Sequence, residues 1–184
     1  SLADELFMPF TVGGGVSKLE DFRDLLKAGA DKICICTAAI ENPNLVTEAA
    51  EAFGRQCVVV NIDYRLNDEG KLEVFGRAGT IGTGYDPIEW ATVCQKRGAG
   101  EIIFNNIDRD GSCNGLDIPT LKKANSILSV PIVAAGGVGS TKHFIEGFEQ
   151  AGVSAVSSGT FFAFKDENPI QTRAHIRNAG VAIR

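Results

Sequence analysis

An α/β fold built on a parallel sheet is what this sequence predicts, from three observations. Short apolar runs alternate with longer amphipathic stretches, several of the runs are apolar almost throughout, and one strand–glycine loop–helix–strand module occurs twice. Alternating strands and helices imply parallel strands joined by right-handed crossovers. Strands apolar on both faces imply helices on one side and a filled core on the other. The repeat implies internal pseudo-symmetry, most simply the half-turn symmetry of a barrel.

Segments 7–12, 32–36, 57–63, 101–106, 131–134 and 155–158 predict six strands. Ser17-Lys18-Leu19-Glu20 has the spacing of a capping box and opens a helix to about residue 28, with Gly29 as its stop. Asn42-Pro43 and Asp86-Pro87 each open a further helix, because proline is tolerated at the first helical position. Helices are also expected near 116–126, 140–151 and 168–178. The connection 64–83 is far longer than the usual few residues, and its alternating Lys71-Leu72-Glu73-Val74-Phe75 predicts a small hairpin. Long loops after a strand's C-terminal end are where barrel enzymes place lids.

The chain of 184 residues is 44% hydrophobic and carries a net charge of −5, which suits one domain, 1–184, with its own core. The acidic balance and scattered basic residues argue against nucleic acid and against a membrane surface as partners. No apolar run is long enough to span a bilayer, and the start, Ser1-Leu2-Ala3-Asp4-Glu5, lacks the basic character of a signal peptide. Five irregularly spaced cysteines are not a disulfide framework, so a reduced, cytoplasmic protein is expected. Two histidines and no Cys-x-x-Cys pair leave no expectation of a metal or cofactor.

The repeat pairs Pro9-Phe10-Thr11-Val12-Gly13-Gly14-Gly15-Val16 with Pro131-Ile132-Val133-Ala134-Ala135-Gly136-Gly137-Val138. Phe22 then matches Phe144; after one extra residue in the second copy, Ala28-Gly29-Ala30 matches Ala151-Gly152-Val153, and Thr37 matches Thr160. A glycine turn leaves backbone N–H groups uncovered for an anion, and the following threonine offers an N–H and a hydroxyl. Two copies predict two phosphate clamps on opposite sides of one rim; the plainer alternative is two tight turns.

Further motifs follow in order: Thr11-Val12-Gly13-Gly14-Gly15, Ala30-Asp31-Lys32, Thr37-Ala38-Ala39, Ile62-Asp63, Gly98-Ala99-Gly100-Glu101-Ile102 and Ile107-Asp108-Arg109-Asp110-Gly111. Together they resemble the HisF-type cyclase subunit of imidazole glycerol phosphate synthase, over nearly the whole chain. The resemblance implies a TIM (β/α)8-barrel type of fold, here with about six βα units. It also implies a glutaminase (HisH-type) partner that supplies ammonia. The substrate would be a ribulosyl-formimino aminoimidazole carboxamide ribonucleotide with a phosphate at each end, the products imidazole glycerol phosphate and aminoimidazole carboxamide ribonucleotide.

On these residues the resemblance implies one phosphate at Gly14, Gly15, Cys36 and Thr37, with Cys36 where the family usually has Asn. It implies the other at Gly111, Gly136, Gly137, Gly159 and Thr160. Asp63 matches a catalytic aspartate able to move protons at the barrel mouth, and Asp110 a supporting carboxylate beside Asp108. From the residues alone, Asp63 also reads as a cap and Asp108/Asp110 as loop chemistry. Lys32 and Glu101 match members of a charged ring that gates ammonia; from the residues alone they also read as solvated strand ends. Cys34 and Cys36 read as packed thiols.

The family begins with two further βα units, and segment 2–7 looks like the end of its second helix. A second catalytic Asp, a Lys on the following loop and two members of the gate ring have no counterpart here. The expectation is a fragment of a longer protein, or a barrel completed by another chain or copy, with self-association through exposed edges and little or no turnover alone. Two other readings share the motifs: a HisF-like amidotransfer subunit of surface-polysaccharide synthesis, and a non-catalytic phosphate-binding barrel remnant.

Overall fold

The computed structural model describes residues 8–183. Segment 2–7, read above as a helix end, lies outside the described residues, as does Phe7 of the first expected strand. Six parallel strands lie in the order β1 (Thr11–Gly13), β2 (Lys32–Ile35), β3 (Val58–Leu66), β6 (Glu101–Asn106), β7 (Ile132–Ala135) and β8 (Ala155–Val156). Between β3 and β6, the expected hairpin forms as β4 (Leu72–Gly76) and β5 (Ile81–Gly82), with β4 antiparallel to β3. The sheet curls into a half-barrel, an incomplete TIM barrel among the described residues.

Helices alternate with the strands. They are α1 (Leu19–Lys27), α2 (Thr37–Glu41), α3 (Asn44–Phe53), α4 (Pro87–Arg97), α5 (Ile118–Ile127), α6 (Thr141–Glu146), α7 (Thr160–Phe164) and α8 (Pro169–Asn178). α4 shows why its sequence stops and starts where it does. Asp86 accepts hydrogen bonds from the N–H groups of Ile88 (2.8 Å) and Glu89 (3.0 Å), Pro87 takes the first position, and Gly98 ends the helix at φ 114°.

The expected capping box shifts by one residue in both members. The helix starts at Leu19, so the cap is Lys18 rather than Ser17 and the third helical residue is Asp21 rather than Glu20. Asp21 Oδ2 accepts from the N–H of Ser17 (2.8 Å) and of Lys18 (3.1 Å). These bonds, that from Ser17 first, hold its carboxyl below the usual carboxylate range.

The strands alternate, and the two faces meet different surroundings. Ile33, Ile35, Val58, Val60, Ile62, Ile102, Phe104, Ile132 and Ala134 are buried under the helices and form the hydrophobic core. The opposite face lines the inside of the half-barrel. There Cys34, Cys36, Asn61, Asp63, Ile103, Asn105 and Ala135 are only half-buried. Val59 is the exception, facing inward yet fully buried.

The two repeat copies fold alike. Phe22 and Phe144 are both buried on the helix after the glycine loop, and Thr37 and Thr160 each open a short helix. The extra residue of the second copy has a physical home. α6 runs on into a π-helical turn, Gly147–Ala151, which absorbs one residue without breaking the helix.

Candidate active site

The C-terminal ends of the strands carry two pockets, one per repeat copy. The first, about 550 Å³, is lined by Gly13, Gly14, Gly15, Cys34, Cys36, Thr37, Glu41, Asn61, Asp63 and Ala78. The second, about 300 Å³, is lined by Asn61, Ile103, Asn105, Asp110, Gly111, Gly136, Gly137, Ser157, Ser158, Gly159 and Thr160. Asn61 lines both, so the two pockets adjoin over β3. Each expected clamp residue falls in its expected pocket.

Asp63 lines the first pocket and is hydrogen-bonded to Asn61 and Asn105, which line the second. Its Oδ1 accepts hydrogen bonds from the side-chain amides of Asn61 and Asn105, both at 2.8 Å. Its Oδ2 faces the Cys36 thiol at 3.8 Å. The reason is register. Asp63 pairs with Asn105 across β3 and β6, and Asn61 lies two residues back on the same face. One oxygen is thus saturated by two amide donors, and the other is left against a weak thiol donor.

Asn61 and Asn105 were not named from sequence as site residues. The signal was present: an asparagine inside Val58-Val59-Val60-Asn61-Ile62 is a polar residue in an otherwise apolar strand, at the same parity as Asp63. Of the Asp108/Asp110 pair, the turn brings only Asp110 to the mouth. Asp108 lines an outer cleft with Arg109, Ser112, Asn114 and Asp117.

The thiols behave as packed groups. Burial, followed by repulsion from Asp63, pushes the Cys36 thiol up to about 11; burial, then Cys36, pushes Cys34 up to about 12. Both stay protonated near neutrality, where a nucleophile would need a thiolate.

Lys32 and Glu101 open their strands, at the other end of the half-barrel from the pockets. They do not lie apart as solvated ends. Lys32 Nζ and Glu101 Oε2 are 2.6 Å apart, meeting across β3 at the level of the buried Val59. Their side chains are 32% and 18% exposed, which makes this a part-buried pair.

Comparison with known proteins agrees with this geometry. A family described as "Histidine biosynthesis protein" matches residues 1–168. The chain belongs to this family. Among its relatives is a protein of Prochlorococcus marinus (strain MIT 9313) assigned as imidazole glycerol phosphate synthase subunit hisF2. The two are 40% identical over 184 residues, 100% of this chain and 70% of that protein. Another is the imidazole glycerol phosphate synthase subunit HisF of Clostridium botulinum (strain Langeland / NCTC 10281 / Type F). It is 43% identical over 183 residues, 99% of this chain and 72% of that protein.

Proposed function

We propose that this chain is the cyclase subunit of imidazole glycerol phosphate synthase, holding one bis-phosphorylated substrate across its two pockets. The observation that carries the reading is the pair of adjoining pockets, each with a glycine loop and a threonine, with Asp63 in the first and its amide partners Asn61 and Asn105 lining the second. Gly14, Gly15 and Thr37 hold one phosphate beside Cys36. Gly111, Gly136, Gly137, Gly159 and Thr160 hold the other. Asp63 takes and returns protons as the imidazole ring closes. The Asn61 and Asn105 amides fix its plane and leave Oδ2 to the substrate. Asp110 supports the second phosphate's loop.

Ammonia reaches the site from the opposite end of the strands, past the Lys32–Glu101 pair, and a glutaminase subunit docks there. The chain works in the cytoplasm, where its five free cysteines stay reduced. By itself the chain self-associates through β1 and β8, the outer strands of the described sheet, with the exposed Phe164 and Ile170 of the helices after β8 adding apolar surface. Light scattering should show dimers or larger species; a monodisperse monomer contradicts this.

Single-turnover reactions with protein in excess and ammonia supplied test the cyclase reading. Slow formation of imidazole glycerol phosphate is expected, with the Asp63→Asn variant slower by roughly 100-fold or more. Product formed at equal rates by both proteins contradicts the reading.

A further inference from the structure

The β4–β5 hairpin reaches back over the first pocket, and its tip makes specific contacts there. The Arg77 backbone N–H donates to Thr37 Oγ1 at 2.9 Å. The Arg77 guanidinium donates from Nε (3.1 Å) and Nη2 (2.7 Å) to Glu41 Oε1. Ala78 and Glu41 both line the pocket that Gly14, Gly15 and Thr37 form. The tip holds Arg77 and Ala78 at φ 49° and 55°, a conformation that L-residues avoid. The far side of the tip approaches Ile107, so the hairpin crosses the mouth from β2 towards β6.

We propose that Arg77 is a phosphate-binding and specificity-determining residue of the first clamp, held against Glu41 until a phosphate monoester arrives. The proposal rests on the phosphate reading of that clamp and adds a residue to it. Two consequences of the geometry support it. A threonine hydroxyl that accepts the Arg77 N–H keeps its own proton free to donate to an anion. An acid on the rim of an anion pocket repels the ligand unless it is neutralised, and Arg77 neutralises Glu41. Both side chains are more than half exposed, at 64% and 53%, so the pair is weak enough to rearrange.

A role as ligand and a role as surface ion pair predict different signs. If Arg77 binds phosphate in competition with Glu41, Arg77→Ala weakens phosphate binding by about tenfold. Glu41→Gln then tightens it, and Arg77→Lys falls between parent and Arg77→Ala. A mere surface pair leaves all three affinities at the parent value.

The experiment is a titration with inorganic phosphate at constant ionic strength, followed by the amide NMR signals of Gly14 and Gly15 for the first clamp and of Gly137 and Gly159 for the second. Opposite shifts in affinity for Arg77→Ala and Glu41→Gln at the first clamp, with the second unchanged, support the proposal. Parent-like binding at the first clamp in both variants overturns it and leaves the phosphate reading standing. Failure of the parent protein to bind phosphate at Gly14 and Gly15 overturns both. Folding of each variant is checked by the rest of its amide spectrum, and Glu41→Gln keeps the volume of the native side chain.

Discussion

The two glycine loops share a motif but not a reason for being glycine. In the first copy, a side chain at Gly14 or Gly15 would meet nothing within 4 Å, and only the backbone angles, φ 106° and 72°, disfavour one. In the second copy, Gly136 and Gly137 also have positive φ, but a side chain there would drive into the Asn106 and Gly115 carbonyl oxygens. The first loop is therefore open to a ligand and to the hairpin above it. The second is wedged against the β6–α5 connection that carries Asp110 and Gly111. A repeated motif keeps its conformation while its packing diverges: the first copy leaves its loop open, and the second packs its loop against neighbouring backbone.

The sharpest way to break this comparison is the same substitution in both copies. Gly136→Ala should destabilise strongly, by roughly 3 kcal/mol or more, because backbone carbonyls cannot move aside as a flexible side chain can. Gly14→Ala should cost only about 1–2 kcal/mol for its backbone angle and weaken phosphate binding at the first clamp. Urea denaturation measures both, and equal losses contradict the distinction.

A smaller effect separates the residues preceding the two threonines, Cys36 in one copy and Gly159 in the other. Burial raises the thiols of Cys36 to about 11 and of Cys34 and Cys94 to about 12, from an ordinary value of 9.0. The unfolded chain then loses these protons at lower pH than the folded one. Stability from the thiols is fully present below about pH 9 and falls as pH rises towards 11–12. Cys36→Ser should flatten part of that fall, since serine does not ionise in the same range. An unchanged alkaline profile, measured by urea denaturation from pH 8 to 11, contradicts it.

Much of this arrangement was legible because it depends on local chemistry. Proline starts, glycine stops and apolar periodicity located six of the helices to within a few residues, and the repeat located the glycine loops and threonines that line the two pockets. The rest depends on where strands sit relative to each other. Nothing local says that Asp63 lies opposite Asn105, so the amide pair that holds the carboxylate becomes visible only with the register of β3 and β6. The short alternation at 71–75 announced a hairpin but not that its tip would seat on Thr37 and Glu41. The capping error was a shift of one residue. Both Glu20 and Asp21 are acidic, and the choice between them follows from where the first turn begins.

If the two clamps take the two ends of one molecule, calorimetry should distinguish substrate from phosphate. Inorganic phosphate should bind weakly at two sites per chain, whereas the bis-phosphorylated ribulosyl-formimino substrate should bind once per chain. Its affinity should exceed that of phosphate by roughly 100-fold or more, because the second contact becomes intramolecular. A substrate that binds twice per chain, or no more tightly than phosphate, contradicts the account.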